Sequence, residues 1–545
     1  MSDLPAEIQR VNALTSNARN TWFAMLGVLV FVGITLMGVK HVDFYGVNRA
    51  TKLPLVDVAV PTRYFFYAAP VLTAAIYGYF HLYLLRLWDA LSKAEPEHDN
   101  RPLGDVISPW LVTDAALFQR RWLRRKEKPC TTPRAMETPA MLLNFLLAWL
   151  FGLIILALLW NQSLTARSFF MSAIASLSFA ISSVVGLASF VMLFRRMRSK
   201  IVPSLPRAWW VMTQAILIFI WCGILLYFSH LRTEGTLEEL AEIDLSGRAL
   251  VEKPSDWLPY DVAQKDFLAK WCGREKPQDC KSLTPDEASR LTEEWRLRRK
   301  AQIDTLAKPD VNPIFLVRYR GMNEEQRHMA IANNLDLRGA ILHDAFLPGM
   351  NLAAADLTEA QLSNAILEGV DLRWAILEEA TLFRVDLKRA DLSGAKFYDT
   401  TFHRADLREA DLGPAFITGT PKSSLKLFKT DLRGSDNDNG AFRFVTFRQT
   451  KFDARTDFRN AFLDGSVIRP AAFDRQMGYP CQWSRDPITV DKEFFGRWRG
   501  WVQQKGSPHR NLWHDISPPE WRDVTAIPPP EGCTRQTGPM QISDE

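Results

Sequence analysis

A chain of 545 residues exceeds one ordinary domain, and its averages, 23% charged residues and a formal net charge of +5, exclude neither a soluble nor a membrane protein. Those averages conceal a division, because residues 1–230 hold long apolar runs while residues 231–545 read as a charged soluble protein. The mild basicity is no sign of nucleic-acid binding: the excess sits in loops beside apolar helices, where it bears on topology.

Met1 to Asn20 is polar with two basic residues, so it reads as no cleavable leader, and the first apolar run is succeeded by others. A bilayer core needs about 20 mostly apolar residues per helix. Five stretches qualify, 22–39, 64–87, 139–160, 169–194 and 208–229, which makes 1–230 a transmembrane region in contact with the lipid bilayer. Trp22, Trp88, Trp160, Trp209 and Trp210 fall at their ends, as interfacial aromatics do. Segment 86–138 carries ten Lys and Arg and segment 195–207 carries five, whereas 161–168 has only Arg167. Basic short loops stay in the cytoplasm. The N-terminus is therefore expected inside, and everything after His230 outside. Residues 40–63, with Lys40, Arg49, Lys52 and Arg63, dissent from this scheme. His81 is read as lying toward the end of the second helix, so no deep ionisable group marks a transport path. Ser178, Ser182 and Gly186 make a small-residue stripe, suited to packing inside the bundle or to a dimer face.

Residues 231–334 read as a helical linker and N-terminal cap. Ile243-Asp244-Leu245-Ser246-Gly247 echoes Leu335-Asp336-Leu337-Arg338-Gly339 and could dock on the open end of the repeats that begin there. Thr284, Pro285 and Glu287 form a helix start with a capping box, expected to run to about residue 306. A second helix is expected over 324–332.

From Leu335 to Gly419 the chain has a period of five, with seventeen consecutive centres from Leu337 through Leu372 and Phe397 to Ile417. Ala stands two places before the centre in twelve of the seventeen. Five fits neither a helix nor a long strand. Within a unit, the small residue and the centre are two apart and share a side of an extended segment. The polar or Gly pair after the centre suits a corner. Short strands joined by corners coil into a solenoid. This pattern resembles the pentapeptide-repeat family, and the resemblance implies a right-handed four-sided β-helix with four units per coil. The expected fold is thus an α-helical membrane bundle followed by an all-β, right-handed, four-sided β-helix over 335–470 with helical caps. A loop is expected at 420–439, an extra residue at Arg455, and a Pro/Trp-rich cap or tail at 471–545 with a short helix over 494–501. Some members of that family mimic DNA. Fourteen acids against eight bases over 335–419 make no dense acidic rod, so no nucleic acid or gyrase-like partner is expected.

Four of the six cysteines, Cys272, Cys280, Cys481 and Cys533, fall on the side expected to be oxidising and fit two disulfides, Cys272–Cys280 and Cys481–Cys533. They match no zinc spacing. There is no phosphate loop, nucleophile elbow or zinc-protease motif, so no catalytic residue, metal or cofactor is assigned. Asp436-Asn437-Asp438-Asn439-Gly440 looks like a calcium loop but misses the EF-hand spacing, and reads as an Asx-rich turn. One surface feature stands out as a candidate binding site. Asn351, Asp371, Asp391 and Asp411, twenty residues apart, would stack on one face as a cation or partner site, or as polar positions neutralised by Arg373, Lys388, Arg389 and Arg408. Two functions fit. One is a non-enzymatic, membrane-anchored scaffold in a bacterial inner membrane, presenting its repeat domain to an envelope protein partner, with a homo-oligomer as a further option. The other is a membrane sensor or regulator of transport that reports through the basic loop 86–138.

Overall fold

A computed structural model describes residues 5–47, 50–53, 58–98, 101–124, 134–198, 207–234, 241–275, 284–306, 308, 336–422, 424–453, 455–469, 486–511, 513–517, 519–531, 533 and 535. The chain divides into two units, one of Met1–Phe44 and Arg49–Ala241 and the other of Tyr45–Asn48 and Glu242–Glu545.

The first unit is helical: α1 (Ala6–Gly38), α2 (Thr62–Lys93), α3 (Leu111–Arg124), α4 (Arg134–Phe145), α5 (Phe151–Leu164), α6 (Phe169–Arg198) and α7 (Arg207–Glu234). A π-helical turn, Leu146–Leu150, joins α4 to α5 without a break. Five stretches, Ala6–Gly38, Thr62–Lys93, Met141–Leu164, Phe169–Arg198 and Met212–Thr233, are long and apolar enough to cross a membrane. They overlap the five expected spans. α1 begins sixteen residues before the expected 22, because the polar lead-in continues the helix and buries Ile8, Val11, Thr15 and Ala18. Large apolar side chains such as Leu187, Ile216 and Phe219 face outward, as suits an apolar surround.

Inside this unit the Tyr77 ring fills a notch left by two glycines. A Cβ at Gly152 or Gly186 would sit 2.5 Å from Tyr77 atoms. The Tyr77 hydroxyl donates to the Trp149 carbonyl at 3.1 Å, within the π-helical turn. Ser178 and Ser182 are buried as well, so the small-residue stripe serves packing within the bundle. His81 is not near a helix end as expected. It lies well inside α2 and is fully enclosed beside Tyr77, Phe80 and Trp149. Nor is the basic segment 86–138 a free loop throughout. α3 buries Val112, Ala116 and Leu117, and Arg120 is fully buried, donating to the Leu91 carbonyl at the end of α2.

The second unit is the solenoid. Its centres fall on four faces. The first face has Leu337, Leu357, Leu377, Phe397, Ile417, Phe442 and Leu463, and the second has Leu342, Leu362, Leu382, Phe402, Leu427 and Phe447. The third runs from Leu347 to Leu432, and the fourth from Leu352 through Leu372 and Leu412 to Asn437 and Phe458. Parallel bridges link residues one coil apart, such as Gln361 to Thr381 and Asp371 to Asp391. The regular repeats make about four coils. At the corners the second residue after the centre takes a left-handed backbone, with φ of 57° at Ala354, 60° at Glu359 and 54° at Arg384.

The expected loop 420–439 is much shorter. Leu425–Phe428 is a strand paired with both Thr401–His403 and Val445–Arg448, and Asp431 and Asp436 bridge Asp406 and Asp411. Leu427, Leu432 and Asn437 keep the period of five, so the register slips by a single unit between Ile417 and Leu427. Asn437 hides the register because it is a polar centre. It is fully buried and donates to Ser435 and to the Asp457 carbonyl, both at 3.1 Å.

Both flanks pack on the solenoid. Leu245 N–H donates to the Ile341 carbonyl at 2.8 Å and Ile341 N–H to the Ile243 carbonyl at 2.9 Å, so the echo segment seals the first coil as a partial extra one. Helices α8 (Tyr260–Glu275) and α9 (Pro285–Asp304) lie over the third face. Thr284 and Glu287 form the expected capping box of α9. The further helix expected over 324–332 lies outside the described residues. The tail helix α10 (Asp491–Val502) covers the first face rather than an end of the rod. It buries Phe494, Phe495, Trp498 and Trp501 against Phe416, Ala441 and Phe462. The Trp498 and Trp501 indoles donate to the corner carbonyls of Asn439 (3.0 Å) and Asn460 (2.7 Å).

Candidate binding faces of the solenoid

The residue before each centre points outward, and where it is Asp its first task is backbone capping. Its Oδ1 accepts the N–H two residues on: Asp371 from Arg373 at 3.1 Å, Asp391 from Ser393 at 3.1 Å, Asp411 from Gly413 at 3.0 Å. Asn351 does the same for Ala353 at 3.0 Å. This Asx turn satisfies a corner amide that the coil-to-coil ladder cannot reach.

The four residues singled out in the sequence do stack. Asn351, Asp371, Asp391 and Asp411 bridge in order on the fourth face, and the column continues through Asp436 to Asp457. Neutralisation is uneven. Arg373 pairs with Asp371 at 2.6 Å and reaches Asp391 at 3.6 Å, and Arg459 pairs with Asp457. Gly413 gives Asp411 no cation. Burial pushes the Asp411 carboxyl up to about 6, with Asp391 and Asp436 adding to the rise. Asp436 rises for the same kind of reason, burial first. Of the expected neutralisers, Lys388 and Arg408 belong to the third face, where they pair with Asp386 and Asp406. The calcium-like run is an Asx turn as expected: Asp436 caps Asp438 N–H at 3.0 Å, and Asp438 pairs with Arg535 at 2.9 Å.

The third face is closed by an anchor the sequence did not announce. Arg299 and Glu368 are each 1% exposed and meet in a fork, Nε to Oε1 at 2.8 Å and Nη2 to Oε2 at 2.7 Å. Arg299 also donates to Gln302 and to the Leu258 carbonyl, and lies 4.0 Å from the Trp257 ring centroid. All its donors therefore face oxygen or an aromatic surface, as a buried guanidinium requires. Arg296 ties Glu409 at 2.9 Å and Arg408 ties Asp261 at 2.9 Å along the same seam.

The second face differs from the others. Its four parallel strands, Thr381–Phe383, Thr401–His403, Leu425–Phe428 and Val445–Arg448, carry Thr or Lys where the third and fourth faces carry Asp. Without that Asp, the neighbouring cations have no carboxylate. Arg384, Arg404, Lys426, Lys429 and Arg448 are exposed and make no ion pair among the described residues. Between them runs a ring ladder, Phe383 to His403 at 4.9 Å and His403 to Phe428 at 4.9 Å. Arg384 lies over Phe383, and Lys429 and Arg448 over Phe428. The signal was present in the sequence as the run Thr381, Thr401, Lys426, Thr446 at the outward step.

Cys272 and Cys533 are both disulfide-bonded. Cys280 and Cys481, expected as their partners, lie outside the described residues, and Cys222 is free and buried.

The family model described as pentapeptide repeats matches residues 336–373 and 375–413, in eight copies. No curated protein matches the chain. Solved structures similar to it include a pentapeptide repeat protein of Nostoc PCC 7120, 33% identical over 20% of this chain and 78% of that one, with a TM-score of 0.13. HetL, a pentapeptide repeat protein involved in heterocyst differentiation regulation from Nostoc sp. strain PCC 7120, is 24% identical (TM-score 0.15); the match covers 28% of this chain and 65% of HetL. QnrB1, a plasmid-mediated fluoroquinolone resistance protein, is 15% identical over 28% of this chain and 91% of its own length, with a TM-score of 0.20. With the five-residue ladder and its four faces, the match over 336–373 and 375–413 shows what this region is: the solenoid is a pentapeptide-repeat domain, with five apolar helices ahead of it in the chain.

Proposed function

We propose that this is a non-enzymatic, membrane-anchored scaffold whose solenoid offers two opposite faces to partners outside the cytoplasmic membrane. The observation that carries the reading is the division of the rod. The chain's own flanks occupy the first and third faces and reach the edge of the fourth at Asp438, where Arg535 pairs, while Asp391, Asp411 and Asp436 of the acidic fourth face and the cations of the second face stay half-exposed or exposed. A solenoid that served only as filler would have no reason to keep two charged faces clear. The Lys and Arg distribution around the apolar helices supports the external side, since basic short loops stay in the cytoplasm. The disulfide-bonded state of Cys272 and Cys533 supports it too, because structural disulfides persist in oxidising compartments. An inner-membrane chain of this kind would meet an envelope protein with its solenoid.

The test is a pair of reporter fusions in the full chain, one after Arg124 and one at Gly419. The expected result is a cytoplasmic signal after Arg124 and an external one at Gly419. A cytoplasmic signal at Gly419 would overturn the reading.

A further inference from the structure

We propose that the second face of one copy docks on the fourth face of another copy of this chain. The inference rests on reading the solenoid as a presenting surface, and it names the partner.

Three observations converge on a second copy. The first is charge. The second face holds Arg384, Arg404, Lys426, Lys429 and Arg448 with no carboxylate partner among the described residues. The fourth face holds Asp391, Asp411 and Asp436, met only by Arg373 at 3.6 Å from Asp391 and by the more distant charge of Arg459 near Asp436. Elsewhere on the rod, cations beside an outward Asp pair with it: Arg338 with Asp336, Lys388 with Asp386, Arg408 with Asp406, Arg433 with Asp431. Exposed cations without an ion pair among the described residues thus gather on the second face, and weakly neutralised outward Asp residues on the fourth, and the two faces are opposite. The second observation is spacing. Charges on the rod repeat at the separation of paired strands, roughly 4.8 Å. A partner that meets every rung must carry the same repeat, and this chain carries it on its own opposite side. The third is height and shape. Arg384 and Asp391 share a coil, as do Arg404 and Asp411, and Lys429 and Asp436, so parallel copies match without sliding. The bulky ladder Phe383–His403–Phe428 would then face the low rungs at Ser393 and Gly413.

Because the donor and acceptor faces lie on opposite sides, the contact is heterologous and extends into rows rather than closing as a dimer. One strip of four short strands is a small interface. Confinement to a membrane raises the effective concentration of copies and compensates for that.

The experiment uses two differently tagged full-length copies in one membrane, cross-linked and purified through one tag, at about 50 mM and about 500 mM salt. Wild-type copies should co-purify at low salt and lose each other at high salt. The second-face variant Arg384→Glu/Arg404→Glu/Lys429→Glu should lose self-association on the order of tenfold. So should Asp391→Asn/Asp411→Asn/Asp436→Asn, which keeps the side-chain oxygen that caps each corner and so protects the fold. The decisive pair is the Glu variant mixed with Asp391→Lys/Asp411→Lys/Asp436→Lys. Each alone should fail to self-associate, and the mixture should recover. Self-association unchanged in the Glu and Asn variants overturns the proposal. So does loss of binding to phosphatidylglycerol vesicles by the Glu variant with self-association intact, which would assign the second face to lipid headgroups. Either result leaves the presenting reading standing, because the Gly419 reporter tests that separately.

Discussion

Asp406 and Asp411 occupy the same step of neighbouring repeats, five residues apart, and their surroundings drive them in opposite directions. Both cap a corner amide two residues on, Arg408 and Gly413 respectively. Burial alone would raise either carboxyl. At Asp406 the Arg408 hydrogen bond and the charges of Lys388 and Arg408 outweigh burial and hold it below the usual range. At Asp411 nothing outweighs burial, neighbouring Asp391 and Asp436 add to it, and the carboxyl is pushed up to about 6. The backbone demands the acid in both places. The residue two steps later decides whether that acid is neutralised within the rod or left as surface charge. The third face takes the first course and is roofed by α8 and α9; the fourth takes the second at Asp391, Asp411 and Asp436, where Ser393, Gly413 and Asp438 follow, and stays open there.

The largest expected effect breaks the roofed side. Arg299→Ala leaves Glu368 buried without its cation, which costs about 3–5 kcal/mol. Thermal melting of the full chain in detergent should fall accordingly, and proteolysis should cut within 260–304. An unchanged cleavage pattern would mean that the fork does not hold the helices down.

A smaller change would make the third face resemble the fourth. Arg408→Ala removes the main counter-charge from Asp406 while Lys388 remains at 3.2 Å. An acid held low in the folded state contributes stability above its unfolded pKa and loses it as pH falls through the folded value. The variant should therefore be less stable by about 1–2 kcal/mol at neutral pH, with the difference narrowing toward pH 3. A pH-independent difference would assign Arg408 a packing role instead.

The smallest effect has the opposite sign. Asp411 is raised, so its burden appears as pH climbs from about 4 through 6, where the folded state must give up a proton it holds more tightly than the unfolded chain does. Asp411→Asn keeps the capping oxygen and removes the charge. It should stabilise the solenoid at pH 7.5 by about 1 kcal/mol, because the side chain is partly exposed and screened, and should be neutral near pH 4. Destabilisation at pH 7.5 would show that the carboxylate is engaged by a cation.

Much of this contrast was legible in the sequence, and the rest failed for identifiable reasons. The period of five gave the coil, its inward Leu and Ala, and the stacking of Asp371, Asp391 and Asp411, because a solenoid's register is a matter of counting. The capping work of those Asp residues was not legible, since a sequence does not say which amide a carboxylate reaches. The loop at 420–439 was overdrawn because Asn437 breaks the apolar pattern without breaking the register. The tail's position could have been read. Ile376, Phe416, Ala441 and Phe462 are apolar at the outward step of the first face, and apolar residues there need a cover. The Arg299–Glu368 fork joins residues 69 positions apart, and no local pattern announces a pair of that kind.

The strand that seals the first coil has a kinetic consequence. Leu245 is made early but pairs with Ile341, so its seat exists only after the repeats begin to form. Each coil closes a loop of twenty residues, whereas seating Leu245 closes one of about a hundred, which costs roughly 1.4 kcal/mol more in chain entropy. The coils should therefore assemble first and the seal last. Until then the edge at Ile341 and Phe346 is an unpaired template for any passing strand. For this protein the hazardous interval in biosynthesis is the one between building the rod and closing its near end.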